Sequence, residues 1–120
     1  MRLNHLDLPV ADVVAVRRFF ECHFGFHCIF ERADGLTVLL DEAGFALTLS
    51  PLVDGEAQRF PTGFHVGFNL PDESTLRHMC ANLAREGVEI ARPIGELGGA
   101  LTCQCYAPGR LLVELAWRQT

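Results

Sequence analysis

Sliding the chain along itself reveals an internal repeat that restricts the fold more tightly than any composition could. "NHLDLPVAD" (4–12) lies over "FHVGFNLPD" (64–72) at an offset of 60 residues. His5 falls on His65, Leu6 on Val66, Leu8 on Phe68, Val10 on Leu70 and Asp12 on Asp72. Apolar residues alternate with others in both copies, the pattern of a strand that covers a core with one side. A helix is expected after each. The first is "VVAVRRFFECHF" (13–24), with Asp12 as N-cap and Gly25 as its stop. The second spans roughly 73–86, where Leu76, Met79, Cys80 and Leu83 form a stripe and Gly87 ends the run.

Three short strands then follow each helix. In the first half they are expected over 27–33, 36–41 and 45–50, separated by "ADG" (33–35) and "EAG" (42–44). In the second half they are expected over 88–92, 100–106 and 111–117, with "APGR" (107–110) as the last turn. "DGEAQRFPT" (54–62) reads as a polar linker. The pattern is βαβββ–βαβββ: module one over 1–53, module two over 63–120, one domain over 1–120. Halves of this size bury too little alone and must pack together. The expected class is α+β, with curled, mixed and largely antiparallel sheets around a cavity.

Composition excludes several functions. A formal net charge of −5 lacks the basic footprint that nucleic acid requires. No run approaches the ~20 apolar residues of a membrane span. No basic region followed by a long apolar run opens the chain, so the expected address is cytoplasmic. All ten basic residues are arginine, which removes Schiff-base chemistry through a lysine amine. The five cysteines (Cys22, Cys28, Cys80, Cys103, Cys105) include no CxxC pair and read as reduced, mostly buried small hydrophobes. No phosphate-cradling loop, Ser-His-Asp set or dinucleotide fingerprint occurs.

Chemistry appears when each strand is divided into its two faces. Leu6, Leu8 and Val10 face the helices, leaving His5 and Asp7 on the other side. In the repeat, His65, Gly67 and Asn69 stand opposite Val66 and Phe68. In "LLVELAW" (111–117), Val113, Leu115 and Trp117 share one face, while Leu112, Glu114 and Ala116 share the other. A carboxylate in mid-strand is costly without a strong partner or water. If both sheets curl toward one cavity, His5, His65 and Glu114 project into it. Two imidazoles and a carboxylate leave open positions on a divalent ion, as a site for chemistry requires. Taken singly, a strand histidine is ordinarily a hydrogen-bonded core residue and a strand glutamate an exposed one. Two histidines at one repeat position, with a carboxylate on the matching face, favour the metal reading.

The opening "LNHLDLPVADVVAVRRFFECHFGF" and the closing "APGRLLVELAW" resemble the vicinal oxygen chelate superfamily over nearly the whole chain. That superfamily includes glyoxalase I, extradiol dioxygenases, fosfomycin-modifying thiol transferases, methylmalonyl-CoA epimerase and bleomycin-resistance proteins. The resemblance implies that His5, His65 and Glu114 are the metal ligands, for Fe, Mn, Ni, Co or Zn. Glyoxalase I adds a fourth ligand on the last strand of its first half. The equivalent here is Thr48 in "FALTLS", a poor ligand, which counts against glyoxalase I proper. Fosfomycin enzymes carry threonine where this chain has Asp7 and use basic residues for a phosphonate; the absence of lysine and the acidic group beside the site count against one here. Extradiol dioxygenases use two histidines and a glutamate for Fe(II), in longer chains.

The expected function is therefore a divalent-metal-dependent enzyme acting on a small oxygen-bearing substrate chelated to the ion. The reaction would be of lyase, isomerase, dioxygenase or thiol transferase type. Asp7 is the candidate general base, or a support for the ligands. Thr48, Asn69, Gln104 and Tyr106 are the candidate polar lining of the substrate cavity. The glycine-rich "GELGGA" (95–100) reads either as a flap or as a plain connection. His23 and His27 flank the first helix stop, and His78 is expected on the exposed side of the second helix. The rival is a metal-free, bleomycin-resistance-like protein that sequesters an antibiotic, for which Phe26, Phe30, Phe60, Trp117 and the acidic charge speak. The resemblance also implies a homodimer, in related proteins often one that exchanges modules so that His5 of one copy joins His65 and Glu114 of the other.

Overall fold

The computed structural model describes residues 1–53 and 59–119, so residues 54–58 of the expected linker lie outside the described residues. The chain divides into two compact units, Met1–Arg59 and Phe60–Thr120. Among the described residues no helix is long and apolar enough to cross a membrane.

The first unit contains β1 (His5–Val10), α1 (Val13–Phe24), β2 (His27–Glu31), β3 (Thr37–Leu40) and β4 (Ala46–Pro51). Its sheet has the order β1-β4-β3-β2, with β1 parallel to β4 and the other pairs antiparallel. The alternation of β1 is realised as expected. Leu8 and Val10 are buried with Leu47 and Leu49 of β4, whereas His5 and Asp7 are exposed on the opposite face. α1 lies across β3 and β4 and buries Val16, Phe19 and Phe20. The Phe20 ring meets Phe19 and Phe26 edge-to-face, with centroids 5.4 and 5.5 Å away, the geometry that the ring quadrupole favours. Phe26 is thus a core residue, which removes it from any ligand-binding surface.

Both helices begin as their sequences dictate. Asp12 accepts from the Ala15 N–H at 3.0 Å, and Asp72 accepts from the Thr75 N–H at 2.7 Å. Each satisfies a backbone donor that the first helical turn leaves open. Gly25 closes α1 in the left-handed conformation (φ 71°), which its missing Cβ allows. Asp12→Ala is expected to lower stability by about 1 kcal/mol in urea unfolding. The Thr75 N–H holds the Asp72 carboxyl below its ordinary range. Its stabilisation is therefore present above the ordinary carboxylate pKa and fades as acid protonates the folded state. In Asp72→Ala that part of the acid-side loss is expected to disappear from the stability–pH curve.

The second unit repeats the plan with β5 (His65–Asn69), α2 (Glu73–Arg85), β6 (Ile90–Leu97), β7 (Ala100–Ala107) and β8 (Leu111–Trp117). The order is β5-β8-β7-β6, with β5 parallel to β8. Leu76, Cys80 and Leu83 of α2 are buried, as are Cys103 and Cys105 of β7 and Val113 and Leu115 of β8. All five cysteines are free. The Cys80 thiol donates to the Cys103 sulfur, which holds Cys80 protonated, and burial pushes the Cys105 thiol up to about 12. Such thiols pack as hydrophobes and are poor nucleophiles.

Most strand ends fall within a residue of the sequence expectation, and β2 and β6 depart from it further. β2 ends at Glu31, where the Arg32–Leu36 turn closes through the Arg32 N–H on the Leu36 carbonyl at 2.8 Å. β6 runs on to Leu97 instead of stopping at residue 92. Pro93 is accepted because β6 is an edge strand, where a missing N–H costs no ladder bond. Gly98 and Gly99, at φ 59° and 79°, form the tight turn into β7, a backbone that suits the twist of a two-residue hairpin. "GELGGA" is therefore the tip of a hairpin, the plain connection of the two readings.

Candidate functional site

In the second unit, strand pairing places the chemistry-bearing residues in three rows across one face of the sheet. The first row is His65–Leu112–Tyr106, and the second is Gly67–Glu114–Gln104–Arg92. The third is Asn69–Ala116–Thr102–Gly95. His65, Asn69, Gln104, Tyr106 and Glu114, all expected to share a face, do share it.

The imidazole of His65 is fixed at one nitrogen. Its Nδ1 lies 2.8 Å from the Gly63 carbonyl, an acceptor only, so Nδ1 carries the proton. The other ring nitrogen, Nε2, lies 3.7 Å from Oε2 of Glu114. Glu114 is the more enclosed of the two, with 20% side-chain exposure against 40% for His65. Its other oxygen, Oε1, accepts from the Gln104 amide at 3.0 Å. One carboxylate oxygen is thereby held while the other faces the imidazole. Tyr106 is half-buried, and the Arg110 guanidinium stacks 4.1 Å from its ring centroid. Asn69 is exposed at the far end of the face.

The first unit carries the matching rows His5–Ala46–Leu40–His27 and Asp7–Thr48–Val38–Phe30. His5 Nδ1 lies 2.8 Å from Oδ1 of Asn4, which again leaves Nε2 as the free lone pair. Asp7 accepts from the Ser50 hydroxyl at 2.6 Å, a charge-assisted bond that fixes Oδ1 and leaves Oδ2 open. Thr48 pairs with Asp7 as Glu114 pairs with Gly67, so Thr48 is the counterpart of Glu114 within its unit. Alternation in "FALTLS" puts Ser50 on the same face as Thr48, but its bond to Asp7 had no signal in the sequence because the two are 43 residues apart.

Two units with the same strand order, each presenting a histidine fixed at Nδ1, define a class of tandem βαβββ protein with a polar sheet face. The family model of the Glyoxalase/Bleomycin resistance protein/Dioxygenase superfamily matches residues 2–115, and the chain belongs to that superfamily. A structure described as that of a possible glyoxalase from Bacillus cereus is 35% identical, with TM-score 0.83 over 97% of this chain and 98% of that one. The fosfomycin resistance protein FosX from Listeria monocytogenes is 19% identical, with TM-score 0.79, covering 99% of this chain and 94% of its own. A glyoxylase/bleomycin resistance protein/dioxygenase domain from Frankia sp. EAN1pec is 17% identical, with TM-score 0.83 over 99% and 98% of the two chains. At those identities the last two show the fold alone. No curated protein matches the chain.

Members of this superfamily commonly use divalent metals. Among the described residues, no group of three or more His, Cys, Asp or Glu side chains is gathered at ligand spacing. The donors nonetheless suit such an ion. Atoms 3.7 Å apart, like His65 Nε2 and Glu114 Oε2, can both lie ~2.1 Å from one ion at an angle of about 120°. A metal-binding histidine ordinarily donates its other ring N–H to a carbonyl or carboxylate, as His65 does to Gly63.

Proposed function

We propose that the chain is a divalent-metal-dependent enzyme acting on a small substrate whose oxygen atoms bind the ion, with His5, His65 and Glu114 as the protein ligands. The reading is carried by the paired histidines. Each occupies the same repeat position and is held at Nδ1 with Nε2 free, and His65 faces a carboxylate. A bound ion supplies Lewis-acid stabilisation of negative charge that develops on substrate oxygen.

The remaining roles follow from the side chains themselves. Gln104 holds Oε1 of Glu114, keeping the carboxylate oriented and its other oxygen available. Asp7 takes a proton on Oδ2, while the Ser50 hydroxyl fixes its orientation. Thr48, Asn69 and Tyr106 supply polar contacts to the substrate. Lyase, isomerase, dioxygenase and thiol transferase chemistry all accord with this arrangement.

Superfamily proteins bind small molecules and are often dimers. The three ligands are therefore supplied within one chain or exchanged between two copies of a homodimer. Calorimetric titration of chelator-treated protein with Mn(II), Fe(II), Co(II), Ni(II) and Zn(II), with sedimentation to count copies, tests the proposal. One ion per chain is expected, with binding lost in His5→Ala and in His65→Ala. Stoichiometric binding that survives both substitutions, or no binding of any of the five ions, overturns it. The latter result returns the sequestering reading.

A further inference from the structure

The row Gly67–Glu114–Gln104–Arg92 ends on an arginine that the alternation of β6 does not place there. Ile90 pairs with Cys105, whose side chain is on the helix side, so strict alternation would put Arg92 on that side too. The pairing instead shifts by one residue between Ile90 and Arg92, and Arg92 comes opposite Gln104. Such a bulge turns a side chain to the other face, and bulges are concentrated beside active sites. Arg92 Nη2 donates to the Thr102 hydroxyl at 2.8 Å, on the face of Gln104 and Glu114.

Its electrostatic position is unusual. Among the described residues, Arg17 and Arg92 are the half-buried arginines. Arg17 is neutralised by Glu21 and Glu31. Arg92 pairs with no carboxylate among the described residues, and its buried Nε has no hydrogen-bond partner. A buried charged donor left unmatched is costly, and such a group calls for an ordered water, an ion or a function. The first unit shows that the bulge alone does not demand a cation. Its β2 carries the same shift between Cys28 and Phe30, and there the turned-out residue is Phe30, 52% exposed.

We infer that Arg92 is a binding residue for a monoanionic carboxylate of the substrate. The inference rests on the proposed placement of the reacting oxygens near Glu114. Glu114 and Arg92 are two strands apart, so their backbones are about 10 Å apart across the sheet. The Arg92 guanidinium reaches Thr102 on the intervening strand and the Gln104 amide reaches Glu114, so polar groups continue across the span between them. One guanidinium beside a carboxylate in a chain of net charge −5 balances a single negative charge better than two. A carboxylate also fits the planar fork of the guanidinium.

Chelator-treated, metal-free protein is titrated with benzoate, benzamide and inorganic phosphate, and the arginine Nε–H resonances are followed by two-dimensional NMR. Benzoate is expected to shift the resonance that Arg92→Gln removes, and to bind that variant roughly 10-fold or more weakly, the loss of a charge-assisted hydrogen bond. Arg92→Lys keeps the charge without the fork and is expected to bind with intermediate strength, and circular dichroism confirms that both variants fold. Benzamide binding equal to benzoate, phosphate preferred over benzoate, an unmoved Arg92 resonance, or undiminished binding to Arg92→Gln overturns the inference. Co(II) titration of the same samples separates the two proposals. Loss of Co(II) binding with benzoate retained removes the metal reading alone, and the converse removes the carboxylate subsite alone.

Discussion

Glu114→Ala is expected to abolish stoichiometric binding of a divalent ion, with the fold retained. Gln104→Ala, which removes only the amide on Oε1, is expected to weaken binding by roughly 10–100-fold, the usual effect of losing a residue that supports a ligand. The contrast separates a ligand from a structural carboxylate. If Glu114 served the sheet alone, removing it would leave metal titration unchanged and alter the unfolding midpoint instead. The local geometry favours the first outcome. Glu114 is partly exposed, one oxygen is already satisfied, and the other faces the second ring nitrogen of His65 at 3.7 Å. Calorimetry with Co(II) or Ni(II), paired with urea unfolding of the same variants, reads both quantities.

Phe20→Ala is expected to carry the largest stability loss in the chain, about 3–5 kcal/mol in urea unfolding. Phe20 is 1% exposed, and its ring is enclosed by Phe19, Phe24 and Phe26. Truncation leaves a cavity that rigid neighbouring rings fill poorly. A folded domain has only about 5–15 kcal/mol in hand, so the substitution consumes a large share of it. Phe20→Leu retains most of the buried area and is expected to cost substantially less. Equal losses for the two variants would place the energy in the ring geometry rather than in the filled volume.

The repeat was legible because its signals are local. Strand alternation, the Asp12 cap and the Gly25 stop each act within a few residues, and all three took the expected form. The faces of β1, β4, β5 and β8 followed from period two, so His5, Asp7, His65 and Glu114 were assigned to the correct sides of their strands. Thr48 as the counterpart of Glu114 was also readable, because the repeat sets which strands correspond.

What escaped the sequence depends on partners distant in the chain. Ser50 reaches Asp7 only because β4 returns to lie parallel to β1. The length of β6 depends on its place at the sheet edge, which makes Pro93 tolerable and allows pairing as far as the Gly98–Gly99 turn. Arg92 is the sharpest case. Alternation counted from Ile90 puts it among the apolar residues beneath α2, and a one-residue slip against β7 turns it onto the polar face. By itself the sequence determined the two modules, their core faces and the histidine pair, because short-range periodicity dictates which side of an element is apolar. Register between strands rests on hydrogen bonds formed after the chain has folded back. The tertiary structure alone therefore decided that Gln104 holds Glu114, and that the half-buried cation Arg92 ends the same row.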